Sequence, residues 1–359
     1  MNLWLIGLIL SLVLFLIILL KKFQKKWIKG VLIFTSLLLV LFMAFKYIVP
    51  LTPAPKPSGD REVLTDTVYY RHKSELLEML TSDHEREIPA SVWYPSDIGE
   101  QKHPLLLFSH GSFGIASSNE TMFLELASRG YIVMSLDHPH HSFRTTLSDG
   151  KSVMVDFKFM QQVMTSQGSE DLEGTLKSLN DWCQIRLEDI NFVLDKLLDA
   201  ESDNDYEGNI DKDRIVLSGH SLGGSAALAI GRERSTEISA LIILESPFVK
   251  DIVGIEGNKY IFTKEEYPLP ILHFYSDSLY EKIDEITTYA MNARMIKSKD
   301  PKFTNVHISG VGHIGLTDMA LVSPMITNAI DGGLNKRHAP ETLLEINTHV
   351  LEFLNKYNE

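Results

Sequence analysis

The chain has 359 residues, of which 34 are basic and 47 acidic. The first 50 residues hold six lysines and no acidic residue, which leaves 28 basic and 47 acidic residues, a formal net charge of −19, for the rest. So acidic a domain argues against nucleic acid as a partner. A single cysteine, Cys183, excludes an internal disulfide framework and is interpreted as a buried thiol.

Two apolar runs open the chain. Residues 1–20 carry no charge and residues 31–45 are apolar again, so both can cross the hydrocarbon of a membrane. Between them, residues 21–29 contain five lysines, which the positive-inside rule places in the cytoplasm. We predict a two-span membrane anchor over residues 1–50, with everything after it outside the cytoplasm. A cleaved signal peptide is the alternative, but the start lacks a basic region and there are two apolar runs.

Residues 51–60 are rich in proline and predict a stiff linker that lifts the following domain off the bilayer. In residues 61–359, short β-like runs alternate with helical ones, which predicts an α/β fold with a mostly parallel central sheet and helices on both faces. Catalytic groups in such a sheet lie at the carboxyl ends of the strands. The predicted strands are 62–70, 89–94, 104–109, 131–136, 213–218, 239–245, 270–275 and 303–309, and the predicted helices are 119–129, 181–199, 222–232, 280–297 and 340–356.

One segment, residues 142–180, interrupts this alternation. It begins with many apolar residues, among them Val153, Phe157 and Met164, and continues with a polar stretch rich in Ser, Gly and Glu. One interpretation is a surface excursion that packs its own apolar side. The other is a lid or acyl-binding flap over the active site.

A motif typical of a nucleophilic serine occupies residues 219–223, which read Gly-His-Ser-Leu-Gly. An apolar run precedes it and a run of small residues follows it, which predicts a strand–turn–helix context. The turn is so sharp that side chains two residues before and after Ser221 would collide with neighbouring backbone, hence the two glycines. The pattern predicts that Ser221 is the nucleophile of a serine hydrolase.

Such a nucleophile needs N–H donors aimed at the oxyanion that forms on the attacked carbonyl. Residues 108–114 read Phe-Ser-His-Gly-Ser-Phe-Gly at the end of the predicted strand 104–109, where glycine lets the backbone turn its N–H groups toward a substrate. We predict that the donors are the N–H groups of Leu222 and Ser112. A plain strand-to-helix turn is the alternative interpretation.

The base and the acid must come later in the chain, since this fold runs serine, acid, histidine. His313 follows the last predicted strand in a glycine-containing loop that can return to the serine, whereas His307 lies inside that strand. Two acids remain open. Glu245 ends the strand after the nucleophile helix and Asp277 ends the next one, and either can hold the His313 imidazole in the required tautomer.

Residues 137–141 read Asp-His-Pro-His-His. A metal cluster is one interpretation, but the proline and the lack of further ligands elsewhere disfavour it. We prefer a strand-end loop beside the active site and assign His110, Phe113 and His138 to the rim of the pocket. No metal and no cofactor are expected.

Several of these segments resemble the platelet-activating factor acetylhydrolase family of α/β-hydrolases: 108–111, 126–138, 219–224 and 240–246. The resemblance covers roughly residues 85–315, on a skeleton shared with bacterial esterases and dienelactone-hydrolase-like proteins. It implies that the acid lies a little over 20 residues beyond the serine, the place of Glu245, where the family has aspartate. It also implies esters with short or oxidised acyl chains, such as the sn-2 ester of a phospholipid, and no metal.

The sequence as a whole predicts a membrane-anchored carboxylic ester hydrolase that acts through an acyl-enzyme. Two alternatives stay open. An extracytoplasmic serine peptidase or acyltransferase acting on cell-wall material would use the same residues. A membrane-tethered binding protein of the same fold would have no activity.

Overall fold

The computed structural model describes residues 3–74, 85–99, 101–166, 170–199 and 206–358. In chain order, the strands of these residues are β1 Val63–Lys73, β2 Glu85–Pro95, β3 His103–Ser109, β4 Ile132–Leu136, β5 Arg144–Thr146, β6 Ser152–Met154, β7 Ile210–His220, β8 Ala240–Leu244, β9 Ile252–Glu256, β10 Lys259–Phe262, β11 Ile271–Ser276 and β12 Phe303–Ile308. The α-helices are α1 Leu3–Leu20, α2 Lys26–Ile48, α3 Glu120–Ala127, α4 Phe157–Ser166, α5 Leu172–Asp199, α6 Leu222–Glu233, α7 Ala290–Ile296, α8 Met319–Val322, α9 Pro324–Ile330 and α10 Ala339–Tyr357.

Eight strands form one sheet in the order β1-β2-β4-β3-β7-β8-β11-β12. The strands from β4 to β12 in this order run parallel, while β2 is antiparallel to both of its neighbours. The hairpins β5–β6 and β9–β10 lie outside the sheet. Strands that alternate with helices along the chain build this mostly parallel sheet, which confirms the predicted α/β fold.

The sheet is covered on both faces, as the continuous apolar strands require. In β3, Leu105 and Leu107 point into one buried cluster that also holds apolar residues of α5 and α6. Leu106 and Phe108 point into a second cluster, which holds apolar residues of α3 and α10. The alternation along a single strand therefore fixes which helices lie on which face.

Every predicted strand is present among the described residues, with ends shifted by a few positions. The prediction of one helix over 280–297 is wrong. Two 3₁₀ turns, Tyr280–Lys282 and Thr287–Tyr289, precede the short helix α7. Residues 286–288, where the second turn begins, read Ile-Thr-Thr, and β-branched side chains weaken a helix. The hydroxyl of Thr287 instead accepts the N–H of Tyr260, at 2.7 Å, and so holds the β9–β10 hairpin.

Helices α1 and α2 are each long and apolar enough to cross a membrane, and they pack against each other. The proline-rich segment after them contacts the surface of the following domain. Its Thr52 N–H donates to the Leu321 carbonyl at 2.8 Å, and its Ser58 N–H donates to a carboxylate oxygen of Glu125 at 2.8 Å. Proline-rich chain has few N–H groups of its own, and the domain surface binds those that remain.

Candidate active site

Ser221 lies at the sharp turn between β7 and α6, with φ of 52° and ψ of −121°. This left-handed φ is strained for a residue other than glycine, and it presents a half-buried side chain at the carboxyl edge of the sheet. The neighbouring glycines leave the necessary room. A Cβ on Gly219 would lie 2.5 Å from the Gly223 carbonyl carbon, and one on Gly223 would lie 2.0 Å from the Ser109 carbonyl oxygen.

Helix α6 begins directly after the serine, at Leu222. The first helical hydrogen bond runs from the Ser225 N–H to the Ser221 carbonyl at 3.0 Å, so the N–H of Leu222 has no acceptor within the helix. A free N–H beside the serine and the positive end of the helix dipole both favour negative charge at this point.

The loop after β3 lies directly against this turn. A Cβ on Gly111 would be 2.6 Å from His220 Nδ1 and 3.2 Å from the Cβ of Ser221, so the glycine lets the loop approach the turn closely. In the next two residues, the Phe113 N–H donates to the His141 carbonyl at 3.1 Å, whereas the Ser112 N–H has no acceptor among the described residues. Ser112, in the loop after β3, and Leu222, directly after Ser221, therefore each have a backbone N–H without an acceptor among the described residues. The half-buried ring of Phe113 packs edge-on against Phe159, 5.4 Å between centroids.

His313 follows β12 and meets Glu245, which follows β8. The His313 Nδ1–H donates to Glu245 Oε1 at 2.8 Å, and the other carboxylate oxygen accepts the Ser276 N–H. The Glu245 side chain is buried, whereas that of His313 is 27% exposed. The ring of His220, the chain neighbour of Ser221, lies 4.4 Å from the His313 ring, and its Nε2 lies 3.2 Å from the His313 carbonyl. The structure thus brings Ser221, His313 and Glu245 to one edge of the sheet.

The charges of this pair support each other. Burial opposes the ionised form of Glu245, but the hydrogen bond and positive charge of His313 outweigh it and hold the pKa of the carboxyl below its usual range. Burial likewise opposes the imidazolium, yet the Glu245 carboxylate, with a smaller contribution from Asp331, raises the pKa of His313 above its ordinary value. The site therefore stabilises a protonated His313.

Asp277 lies apart from His313. Its carboxylate accepts from His307 Nε2 and from the Gly310 N–H, both at 2.8 Å. His307 also stacks on Tyr280, with 4.1 Å between the ring centroids. Asp277 therefore supports the backbone of the loop that carries His313, while Glu245 is the acid that contacts the imidazole.

His110 and His138 do not line a pocket rim, and in this respect the prediction is wrong. Both side chains are fully buried beneath the loop. His110 bonds Ser142 Oγ at 2.8 Å, and His138 Nδ1–H donates to Asp189 at 2.7 Å. Burial, with the nearby charge of Arg186, lowers the pKa of His138 to about 3. Among the described residues, no group of three or more His, Cys, Asp or Glu side chains is arranged for a metal ion.

Three polar side chains that hold the His313 loop escaped the sequence analysis. Asp331 accepts the N–H groups of Ile314 and Gly315, at 3.0 and 2.9 Å. Ser278 Oγ accepts the His313 N–H at 3.0 Å, and Asn335 Oδ1 accepts the Gly312 N–H at 2.9 Å. Asp331 precedes two glycines and resembles an ordinary turn residue in the sequence, which gives no sign of its distant partners.

Comparisons with known proteins match most of the chain that follows the two apolar helices. The family model described as platelet-activating factor acetylhydrolase, isoform II, matches residues 67–359. The platelet-activating factor acetylhydrolase of Canis lupus familiaris is 28% identical over 154 residues, 39% of this chain and 34% of that protein. A probable 1-alkyl-2-acetylglycerophosphocholine esterase of Arthroderma benhamiae is 28% identical over 170 residues, 46% of this chain and 38% of that protein. These matches span about a third of the length of the curated relatives.

A solved structure shares the fold. The ferulic acid esterase from Streptomyces cinnamoneus superposes with a TM-score of 0.64 at 17% sequence identity, over 86% of this chain and 93% of the esterase. At that identity the likeness shows the α/β-hydrolase fold alone. The family model, in contrast, covers the sheet, the serine turn and the histidine loop together. The chain therefore belongs to the platelet-activating factor acetylhydrolase isoform II family.

Proposed function

We propose that this protein is a membrane-anchored serine hydrolase that cleaves carboxylic esters through an acyl-enzyme. One observation carries the proposal: a strained, partly exposed serine shares the sheet edge with an imidazole–carboxylate pair at 2.8 Å. Family membership and an esterase with the same fold support it.

In this mechanism Ser221 Oγ attacks the ester carbonyl while His313 Nε2 takes the hydroxyl proton. Glu245 keeps the Nδ1–H in place and stabilises the imidazolium. The N–H groups of Leu222 and Ser112 hold the oxyanion. The C–O bond to the alcohol then breaks and His313 gives its proton to the leaving oxygen. A water molecule, deprotonated by the same imidazole, attacks the acyl-enzyme carbonyl. The bond from the acyl carbon to Ser221 Oγ breaks, His313 returns the proton to Oγ, and the carboxylic acid leaves.

The proposed substrates are esters with short or oxidised acyl chains, including the sn-2 ester of a phospholipid. The names of the relatives support this class, and so do three exposed apolar side chains of the segment 142–180, here called the apolar surface. Phe143, Phe157 and Met164 are 58%, 71% and 67% exposed. The Phe143 N–H donates to the Gly114 carbonyl at 3.0 Å, which ties this surface to the loop. Exposed apolar groups next to a site suit a lipid substrate.

The same surface belongs to the segment 142–180, which contains the β5–β6 hairpin, α4 and the start of α5. We assign it as a cover beside the acyl site, with Phe159 as its buried contact against His141 and Trp182. Helices α1 and α2 serve as a two-span anchor with the lysine-rich turn in the cytoplasm. The catalytic domain then faces a membrane from outside the cytoplasm.

Replacing the nucleophile tests the activity. Ser221→Ala removes the attacking oxygen, so turnover of p-nitrophenyl acetate should fall at least about 10³-fold while the protein stays folded. The exposed Ser298, in the turn before β12 at the opposite end of the sheet, gives the matched control Ser298→Ala, which should keep wild-type turnover. Initial rates and circular dichroism give the result. Full activity of Ser221→Ala would sink the proposed mechanism.

The acid is tested by the pH profile. His313 must be neutral to act as a base, so kcat/KM should rise with pH through a midpoint above 6.5, because the pKa of His313 is raised. Glu245→Gln removes the charge that raises this pKa. It should lower the plateau about 10²- to 10⁴-fold and move the midpoint to lower pH. Asp277→Asn is the control. A larger loss or midpoint shift in Asp277→Asn than in Glu245→Gln would reject the assignment of Glu245.

The apolar surface makes a separate prediction about lipid. The double variant Phe157→Ser, Met164→Ser should hydrolyse a phospholipid ester in lipid vesicles about tenfold more slowly than wild type. The reason is that it loses apolar area that contacts the bilayer. Hydrolysis of p-nitrophenyl acetate in the same vesicles should stay within about twofold of wild type. Leu344→Ser, which removes an exposed leucine from α10, is the control. Equal rates on lipid for all three proteins would exclude this surface from substrate capture.

A further inference from the structure

A layer of charged and polar side chains lies beneath the loop after β3, wholly shielded from solvent. Burying so many polar groups is costly unless each has a partner, and such a layer calls for a functional explanation. We call it the buried polar layer, and its members are Arg86, Ser109, His110, His138, His141, Arg186 and Asp189.

Arg186 is the member that contacts the loop backbone. Its Nη1 donates to the His110 carbonyl at 3.1 Å, and its Nη2 donates to the Gly111 carbonyl at 3.4 Å. The same Gly111 oxygen also bonds His110 Nδ1 at 2.6 Å, so Arg186 and His110 hold it together. The Arg186 Nε donates to His141 Nδ1 at 3.2 Å. The guanidinium therefore uses its fixed fork of donors to hold two successive carbonyls of the loop from below.

Those carbonyls determine where the next N–H groups point. The Gly111 carbonyl and the Ser112 N–H belong to one planar peptide unit, and in a trans unit the two bonds point in opposite directions. The chain has no cis peptide bond among its described residues. When Arg186 holds the Gly111 oxygen, the Ser112 N–H must point away from the buried polar layer. A cation bound to the carbonyl also polarises the unit and makes its N–H a stronger donor.

The remaining members hold Arg186 in turn. Its Nη1 contacts Ser109 Oγ at 3.5 Å, and this hydroxyl bonds His138 Nε2 at 2.9 Å. His138 Nδ1–H donates to Asp189, which also receives both arms of the Arg86 guanidinium, at 2.6 and 2.8 Å. A serine, a histidine and an aspartate are thus aligned as in a catalytic triad. This hydroxyl is buried, however, and the Nη1 of Arg186 donates toward it.

We infer that Arg186 is a positioning residue that aims the Ser112 N–H at the oxyanion, with Asp189 and His138 fixing its place. The inference rests on the proposed function, in which Ser112 is an oxyanion donor. Arg186 contacts no reacting atom, so its loss should weaken transition-state binding and leave ground-state binding of substrate nearly unchanged.

The test compares Arg186→Lys and Arg186→Met with the wild-type full chain. Lysine keeps the charge but has no fork, so it cannot hold both carbonyls. In Arg186→Lys, kcat for p-nitrophenyl acetate should fall roughly 10- to 100-fold, while KM should stay within about threefold of wild type. This fall is smaller than the fall in kcat that follows loss of a whole oxyanion donor. The inhibition constant of an aryl trifluoromethyl ketone, whose adduct places an oxyanion in the site, should rise by the same factor.

Controls separate aiming from general stability. Arg234→Lys changes an arginine that follows α6 and pairs with Asp195 and Glu237, so it should keep the wild-type kcat and inhibition constant. Rates are divided by the number of sites titrated with a fluorophosphonate after prolonged reaction. If Arg186→Met fails to fold, Arg186→Lys decides the question.

The outcomes distinguish the two claims. A parallel change in kcat and the inhibition constant of Arg186→Lys supports the inference. Wild-type values per titrated site in Arg186→Lys, or a fall in the number of sites alone, would overturn the role of Arg186 and leave the proposed function standing. Absence of hydrolysis by the wild-type chain would instead overturn the proposed function itself.

Discussion

Hydrogen bonds between the carboxyl ends of three neighbouring parallel strands hold this site together. The Ser221 N–H donates to the Leu244 carbonyl at 3.0 Å, which ties the turn after β7 to the end of β8. The next residue, Glu245, donates its N–H to the Phe274 carbonyl in β11 at 2.9 Å and accepts the Ser276 N–H. The strained φ of 52° at Ser221 and of 46° at Glu245 persist because these bonds and the packed sheet fix both positions.

Among the described residues, a serine shares a strand end with a histidine–carboxylate pair at two places, and the two environments are opposite. Ser221 is half-buried on a strained turn, and its neighbour His313 has a raised pKa because a buried carboxylate stabilises the cation. Ser109 is buried within a strand, and burial beside arginine lowers the pKa of His138 to about 3. A base that must become a cation during catalysis suits the first setting and not the second. Residue types alone do not identify a nucleophile.

Much of the fold followed from the sequence, because buried strands of a parallel sheet are continuous apolar runs, such as Leu105 to Phe108. The turn at Ser221 was also predictable, because its glycines are required by steric crowding between residues that are close in the sequence. The choice between Glu245 and Asp277 was not, since both follow strands and only the path of the later loop decides which one His313 meets. His110 and His138 resembled rim residues because polar groups at strand ends usually face solvent.

Arg186 and Asp189 left a signal that is clear only in retrospect. They lie three residues apart on α5, among the buried Cys183, Leu187 and Ile190. Charged residues on the apolar face of a helix seldom occur without a buried partner. The partners, however, come from β2, β3 and the loop after β4, and no local pattern in the sequence connects them. The partners in a long-range polar network of this kind cannot be predicted from one sequence.

In the proposed mechanism Ser221 is activated and Ser109 is not. The most direct test of this claim is reaction of the wild-type chain with a fluorophosphonate, followed by peptide mapping of the adduct by mass spectrometry. We expect one adduct per chain, on the peptide that carries Ser221, and none on Ser109. An adduct on Ser109, or a folded protein that never reacts, would contradict this claim.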